Sequence, residues 1–279
     1  MTIKIITDSG ADLPKEYLER HDISIVPLSV HFDHEKMPSD MEAPEFYKKM
    51  RETKALPTTA SPSPYDFLEK FKSVEDGTDI LVMCLSSNIS STYQNALIAK
   101  EMYLDEGHTN TIEVLDTKTF SLGLGLLVAL TAKMAHAGTS FQELKQWAAH
   151  QAKEVRAYFT LDTLENVIKG GRLDRLRGTV ASVLNIKLLM RISEEGTVEV
   201  VEKNRGMQAS LNSLIKRLEE KQHNFEKAVL AVCHSNCEER ARDVIKAILA
   251  KYPFCEVILS DMGPIIGTYA GEGGIGVAF

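Results

Sequence analysis

The stretch ILVMCLSSNISSTYQNA, residues 80–96, combines the features that decide the fold. Residues 80–85 are apolar without interruption, which is typical of a strand buried on both faces of a parallel sheet. Residues 86–92, which we call the serine loop, carry hydroxyl side chains at five of seven positions. A helix is predicted after it, from Ser91 to Asp105. A buried strand, a polar loop and a helix in this order indicate one unit of an α/β sheet.

The same alternation extends through the first half of the chain. It predicts parallel strands joined by right-handed helical crossovers, with helices on both faces of the sheet. The predicted strands are Ile3–Thr7, Ile23–Val30, Ile80–Leu85 and Thr111–Leu115. The predicted helices are Pro14–His21, Ala43–Thr53, Pro64–Ser73, Ser91–Asp105, Phe120–Ala137 and Phe141–Val155.

After residue 155 the pattern changes to a mixture of strands and helices. A chain of 279 residues exceeds the roughly 100 to 200 residues of one domain. We therefore expect two domains, residues 1–155 with a parallel α/β sheet and residues 156–279 with a mixed α+β fold. The predicted elements of the second half are a strand at Ala157–Leu161, two short helices around Gly170-Gly171, a hairpin of Leu188–Ser193 and Thr197–Lys203, a helix at Met207–Gln222, a strand at Ala228–His234, a helix at Glu238–Lys251 and a strand at Val257–Ser260.

The charge balance excludes several classes of partner. The net charge is −7, so no overall positive field attracts nucleic acid or anionic lipid. The longest apolar stretch, residues 122–130, is far shorter than the ~20 residues that span a bilayer. The first residues lack the zones of a signal peptide, so we expect a cytoplasmic protein without stable membrane insertion.

Three hydroxyl-rich loops follow predicted strands or precede predicted helices: residues 7–12, residues 57–64 and the serine loop. Ligands of open α/β sheets bind beyond the carboxyl ends of the strands, and the N-terminus of a helix favours an anion. We therefore expect the three loops to line one pocket for a carboxylate or phosphate. An ordinary helix cap explains one serine of the serine loop, and Ser63 with Pro64 is itself a cap pair.

Other chemistries fit the sequence less well. A serine of residues 86–91 with His234 and an aspartate could form a hydrolase triad, but the GxSxG elbow is missing. The glycine-rich run 271–276 fits a dinucleotide motif only literally, because no helix follows it. His234 and Cys237 do not belong to a repeated metal-ligand spacing. A phosphate-binding domain that uses the serine loop stays open.

Motifs along nearly the whole chain resemble the DegV family, the bacterial fatty-acid-binding proteins that serve as lipid-carrying subunits of fatty acid kinase. Each motif is weak alone, and the ordered set across both halves is specific. The motifs are Thr7-Asp8-Ser9 with Ala11-Asp12-Leu13, Val26-Pro27-Leu28, Pro57-Thr58-Thr59 through Ser63, Leu85-Ser86-Ser87 through Tyr93, Asp116-Thr117 with Ser121, Gly123, Gly125 and Leu126, Ile168-Lys169-Gly170-Gly171-Arg172, and Gly263 through Gly276.

The resemblance implies a long-chain fatty acid in a buried apolar tunnel between or beside the two domains. Hydroxyl side chains bind its carboxylate, and a separate ATP-dependent kinase subunit phosphorylates that carboxylate to an acyl phosphate for phospholipid synthesis. The binding protein itself is expected to have no catalytic residue, nucleotide, metal or other cofactor. By motif, the carboxylate ligands are Thr59 and Ser90, with Ser91 and Tyr269 beside them.

Further residues follow from the same resemblance. Arg172 corresponds to the arginine of the Gly-Gly-Arg motif, and we expect Arg172 and Arg205 to contact a partner or a phosphate; the alternative for Arg172, Arg175 and Arg177 is a solvated basic face. Candidates for the tunnel wall are Leu122, Leu126 and Ile168, for which core packing is the alternative.

The chain departs from the family pattern near the expected carboxylate site. Ala60 and Ser61 change the usual Thr-Ser-Gln-Pro-Ser run, and Ser91 replaces a glycine. Tyr269 replaces a histidine but can still donate a hydrogen bond. Glu272 replaces a proline, and we expect it to add negative charge near the anion.

Overall fold

A computed structural model describes residues 2–33, 35–173, 185–220 and 224–279. Its strands are β1 (Ile3–Asp8), β2 (Ser24–Val26), β3 (Ser29–Phe32), β4 (Glu35–Pro38), β5 (Thr58–Ala60), β6 (Asp79–Cys84), β7 (Ile112–Asp116), β8 (Ala157–Thr160), β9 (Ile186–Ile192), β10 (Val198–Arg205), β11 (Val229–His234), β12 (Glu256–Asp261) and β13 (Ile275–Ala278). Its α-helices are α1 (Lys15–Arg20), α2 (Ala43–Glu52), α3 (Pro64–Lys72), α4 (Thr92–Asp105), α5 (Leu122–His136), α6 (Phe141–Glu154), α7 (Glu165–Lys169), α8 (Met207–Lys216), α9 (Glu238–Leu249) and α10 (Pro264–Ala270).

A four-stranded parallel sheet forms in the first half, in the order β2-β1-β6-β7. The side chains of β6 alternate between its faces: Ile80 and Val82 pack with α3 and α4, whereas Leu81 and Met83 pack with α5. Because helices cover both faces, β6 has no polar side. The parallel α/β sheet predicted from residues 80–96 is confirmed.

A small antiparallel sheet, in the order β4-β3-β5, was not predicted. The strand predicted over Ile23–Val30 is instead two strands, since β2 joins the parallel sheet and β3 joins the small sheet. The chain changes direction at Pro27, which has no N–H to donate to a ladder. Val30 of β3 pairs with Thr59 of β5, which gives Thr59 a fixed position.

The second half forms a six-stranded mixed sheet in the order β10-β9-β8-β13-β11-β12. The predicted hairpin is present, with Val198 opposite Ile192. Strand β13 and helix α10 were missed. β13 runs antiparallel between β8 and β11, so a strand follows the glycine-rich run. A side chain at Gly276 would lie 3.0 Å from Leu122 Cδ2 and 3.1 Å from Cys233 Sγ, so a larger residue here would require these side chains to shift.

Helix α5 joins the two halves. Ten of its fifteen residues are buried, and it contacts β1 and β6 of the first sheet as well as β11 and β13 of the second. One apolar core therefore runs from the parallel sheet to the mixed sheet. The strands of the parallel sheet end at residue 116 and those of the mixed sheet begin at residue 157. The architecture of a parallel and a mixed part is confirmed, and the domain boundary at 155 stays a prediction. Within the described parts of the chain, no helix is both long and apolar enough to cross a bilayer.

Candidate functional site

A cavity of about 660 Å³ lies where loops of the first half meet the mixed sheet and α10. Most of its wall is apolar, and its size falls within the roughly 300 to 1,000 Å³ of small-molecule sites. Strands β8 to β10 and their ends contribute apolar side chains to the wall, whereas its hydroxyl groups come from the first half and α10. The apolar lining residues are Leu28, Ala60, Leu85, Ile89, Phe120, Leu122, Phe159, Leu161, Val167, Ile192, Val198, Met262, Ile265, Ile266 and Ala270. The polar ones are Thr59, Ser61, Ser87, Asn88, Ser90, Ser91, Ser121, Arg172 and Tyr269.

The predicted carboxylate ligands come together in two hydrogen-bonded groups. Thr59 Oγ1 lies 2.6 Å from Tyr269 Oη, although the two residues are 210 positions apart. Ser61 Oγ lies 2.9 Å from Ser90 Oγ and 2.8 Å from Ser91 Oγ. All five side chains line the cavity. The structure thus gathers neutral hydroxyls that can each donate a hydrogen bond to an anion.

The serine loop is shaped by contacts that a helix cap alone does not require. Ser91 occupies the N-cap position of α4, yet its hydroxyl makes no capping bond and reaches Ser61 instead. Ser90 Oγ lies 2.8 Å from Thr92 Oγ1, which is buried. Ser87 Oγ accepts a hydrogen bond of 2.9 Å from Lys118 Nζ. Several hydroxyls of the loop therefore face the cavity or its rim rather than the end of the helix.

Arg172 is the one basic side chain among the described residues that line the cavity. Its guanidinium lies over the ring of Tyr269, 4.9 Å from the centroid, and donates to the carbonyl oxygen of Gly170 at 2.6 Å. A side chain at Gly170 would come within 2.4 Å of the Tyr269 ring. The Gly-Gly-Arg motif thus provides space for Tyr269 and a cation beside it.

Two buried carboxyl groups hold the loops behind the cavity. Asp8 accepts from the backbone N–H of Leu85 at 2.8 Å, and Asp12 accepts from the hydroxyl of Ser121 at 2.6 Å and from the N–H of Gly263 at 2.9 Å. Burial raises the pKa of Asp8 and that of Asp12 to about 7, although these hydrogen bonds act in the opposite direction. Asp12 thereby links the turn after β1 to the starts of α5 and α10.

Some predicted residues do not reach the cavity. Leu122 lines it, whereas Leu126 is buried elsewhere in the core and Ile168 packs against that core, with Val167 on the cavity wall instead. The assignment of Leu126 and Ile168 to the tunnel wall stays a prediction, and neither is among the described residues that line this cavity. Arg205 is exposed at the other end of β10 from Val198, roughly 20 Å along the strand. Arg172 lines the cavity, whereas Arg205 does not.

The sequence also raised expectations about Glu272 and about two arginines that follow Arg172. Glu272 does not line the cavity, and its carboxylate pairs with Arg51 and accepts from Asn236 Nδ2 at 2.5 Å. Glu272 therefore adds no negative charge to the cavity lining that the structure describes. Arg175 and Arg177 lie outside the described residues.

Sequence reasoning missed much of the wall. Ser61 and Asn88 belong to hydroxyl-rich segments that were singled out, so their composition was an available signal. Phe159, Ile192 and Val198 come from strands of the other half, and nothing in their local sequence indicates what lies opposite them.

The arrangement gives no support to the hydrolase alternative. No histidine lines the cavity within the described ranges, so a serine there would lack the histidine base of a Ser-His-Asp triad. His234 is buried away from the serine loop, with Nδ1 3.4 Å from Asp261 Oδ1, and burial lowers its pKa. Among the residues that the structure describes, no cluster of three His, Cys, Asp or Glu side chains could hold a metal ion.

Known proteins with the same architecture have been solved. A DegV family protein from Ruminococcus gnavus, described with vaccenic acid, is 28% identical and has a TM-score of 0.92, with all of both chains covered. The Streptococcus pneumoniae fatty acid kinase (Fak) B3 protein, loaded with linoleic acid, is 26% identical and has a TM-score of 0.87, with 100% of this chain and 99% of that chain covered.

Sequence comparison agrees with the structural comparison. A relative from Thermotoga maritima, named fatty acid-binding protein, is 30% identical over 285 residues, which cover 99% of this chain and 96% of that relative. The family model described as "Uncharacterised protein, DegV family" matches residues 2–279. The chain belongs to the DegV family.

Proposed function

We propose that the protein binds a long-chain fatty acid in the cavity and presents its carboxylate to a partner kinase. The observation that carries the proposal is the division of the cavity wall, in which a mainly apolar lining adjoins a group of neutral hydroxyls. A fatty acid has the same division between its acyl chain and its carboxylate. The bound lipids named for the Ruminococcus gnavus and Streptococcus pneumoniae relatives support this substrate class.

The acyl chain supplies most of the affinity. Burying about fifteen methylenes at ~0.8 kcal/mol each contributes roughly 12 kcal/mol. This gain offsets much of the free-energy cost of immobilising the ligand. An acyl chain that stays half exposed to water would gain only about half as much. A closed apolar wall is therefore expected to retain the lipid through purification.

The carboxylate is held in a way that keeps it reactive. Thr59, Ser90, Ser91 and Tyr269 offer neutral donors, and the guanidinium of Arg172 lies over the ring of Tyr269 and donates to the Gly170 carbonyl. A carboxylate without a bidentate arginine pair keeps electron density on its oxygens. One oxygen can then attack the γ-phosphorus of ATP on the kinase, as ADP leaves from that phosphorus. The chain itself supplies no catalytic residue in this scheme.

The proposed kinase partnership is supported by the Fak B3 relative and by the accessible hydroxyl side chains of the cavity. Ser91 is exposed, so the polar part of the wall is open toward solvent. We assign Arg172 to the contact with the partner or with the new phosphate, because it is the exposed cation beside Tyr269.

Native mass spectrometry of the purified protein tests the proposal. We expect one fatty acid per wild-type chain, lost on denaturation. The double variant Thr59→Ala with Ser90→Ala is expected to lose most of the lipid and of its phosphorylation by an added fatty acid kinase. Thr58→Ala is the matched control, because Thr58 is the exposed neighbour of Thr59 and does not line the cavity.

Two results would contradict the proposal. A wild-type protein that carries no fatty acid and takes none up would exclude the lipid function. A double variant that binds and delivers lipid as the control does would exclude these hydroxyls as carboxylate ligands. Stabilisation by phosphorylated metabolites, without stabilisation by fatty acids, would favour the phosphate-binding alternative.

A further inference from the structure

The tip of the β9–β10 hairpin, residues 193–197, extends from the mixed sheet to the serine loop. Ile192 and Val198, which flank the tip, face each other across the two strands and both line the cavity. β10 is the edge strand of its sheet. This part of the cavity wall is therefore carried by a hairpin at the edge of the mixed sheet rather than by one of its central strands.

An exposed hydrogen bond and close packing join the tip to the serine loop. Asn88 Nδ2 donates to the carbonyl oxygen of Glu195 at 2.6 Å. Gly196 has φ +77°, and a side chain there would lie 2.1 Å from Ser86 Oγ and 2.8 Å from the carbonyl oxygen of Lys118. The tip thus rests directly on the loop, and Asn88 is exposed to solvent.

Other walls of the cavity are held more firmly. Leu85, at the end of β6, is fixed by the buried carboxylate of Asp8, and Ser121 is fixed by Asp12. Segments with exposed hydrogen bonds open at lower free energy than those in the buried core. The hairpin tip, which an exposed hydrogen bond joins to the serine loop, is therefore expected to open more readily than the wall at Leu85 and Ser121.

We propose that the hairpin tip is a strap over the cavity, that it lifts to let the acyl chain in and out, and that Asn88 sets how often it lifts. The inference rests on the proposed fatty-acid binding. Asn88 affects the rate of fatty-acid exchange only through its hydrogen bond to the carbonyl of Glu195. It is therefore a positioning residue for the hairpin tip.

Stopped-flow exchange of a fluorescent long-chain fatty acid, cis-parinaric acid, tests the strap. Asn88→Ala removes the hydrogen bond, and Asn88→Asp removes the N–H donor while it keeps the shape. In both variants we expect release and uptake to become about fivefold faster, which corresponds to about 1 kcal/mol. The equilibrium Kd is expected to stay within twofold of wild type, because lifting of the strap affects both directions equally.

Asn212→Ala is the matched control. Asn212 is exposed on α8, where its Oδ1 accepts from Gln208 Nε2 at 3.2 Å, and it does not line the cavity. Unchanged rates in both Asn88 variants, or an equal acceleration in the Asn212 control, would overturn the strap. A faster release with a correspondingly weaker Kd would also overturn it, because Asn88 would then be a ligand contact.

The same experiment separates this inference from the function on which it rests. Fluorescence of the wild-type mixture reports binding itself, whereas the ratio of variant to wild-type rates reports the strap. A wild-type protein that binds no probe overturns both. A wild-type protein that binds it, with rates that do not respond to Asn88, overturns the strap alone.

Discussion

At the scale of single residues, the polar part of the cavity depends on contacts between distant positions. Strand pairing with Val30 positions Thr59. The ring of Tyr269 fits where it does because Gly170 has no side chain. The tyrosine that stands in the family's histidine position keeps a hydrogen bond to Thr59. It also provides a ring for Arg172 without adding a positive charge of its own.

Tyr269→Phe tests the hydroxyl of this tyrosine. The change removes the bond to Thr59 and keeps the ring under Arg172, so we expect fatty-acid affinity to fall about fivefold, as one hydrogen bond of about 1 kcal/mol requires. Titration with a fluorescent fatty acid measures the loss. Tyr65→Phe is the control, because Tyr65 is exposed and does not line the cavity. An affinity equal to that of the control would show that Tyr269 Oη does not bind the carboxylate.

Asp12 is expected to make stability depend on pH. Burial raises its pKa to about 7 in the folded state, from an ordinary value of 3.8. The native protein therefore binds more protons than the unfolded chain between about pH 4 and 7, and this contribution to stability is lost as the pH rises through 7. Asp12→Asn stays neutral and can still accept from Gly263, so it removes this loss.

Urea unfolding at pH 5 and pH 8 checks the sign. From pH 5 to pH 8 we expect the wild type to lose about 2 kcal/mol more of its free energy of unfolding than Asp12→Asn loses. Asp243→Asn, an exposed change on α9, is the control and is expected to follow the wild type. Equal pH slopes for the Asp12 variant and the wild type would contradict the prediction.

At the scale of elements, helix starts position the loops of the site. Ser63 caps α3 in a reciprocal pair with Asp66, directly after Ser61 and Pro62. Ser140 caps α6 in the same way with Glu143. The two capping boxes are chemically alike, but only the first lies next to the hydroxyl side chains that line the cavity. The predicted cap at Ser63 and Pro64 is confirmed.

Ser63→Ala and Ser140→Ala separate stability from binding. Both changes remove a side-chain cap, so each is expected to lower the free energy of unfolding by about 1 kcal/mol. Only Ser63→Ala is expected to weaken fatty-acid binding, because it loosens the turn that carries Ser61. Thermal unfolding and lipid titration of both variants provide the comparison. Equal binding by the two would mean that the cap does not position Ser61.

At the scale of the whole molecule, α5 makes the two halves interdependent. Its buried surface is shared between the parallel sheet and the mixed sheet. The hydroxyl of Tyr47 on α2 also donates to the carbonyl of Met262 at 3.0 Å, across the same interface. The cavity uses both halves, so neither half alone contains its complete wall.

A chain of residues 1–155, cut at the predicted boundary, tests this interdependence. It would expose the side of α5 that packs against β11 and β13, an apolar surface that a stable monomer rarely leaves open. We expect it to aggregate or to unfold without cooperativity, in circular dichroism and in sedimentation. A cooperative, monomeric fold of this piece would establish an independent domain that ends at 155.

The sequence by itself determined the alternation of strands and helices, the hairpin turn, the hydroxyl-rich loops and the family motifs. These are local properties, because strand burial, caps and turn residues depend on neighbouring positions. The range 23–30 was predicted as one strand because it is rich in aliphatic and β-branched residues, and the short β13 was missed because glycines interrupt its signal.

Only the tertiary structure decided which side chains face the cavity. Helix α5 is apolar around most of its circumference, so periodicity could not tell that Leu122 faces the cavity and Leu126 faces the core. The pairing of Thr59 with Tyr269 and the approach of Glu195 to Asn88 join positions more than 100 residues apart. Such contacts follow from how two sheets pack around a shared helix, and a pattern of neighbours along the chain does not contain that information.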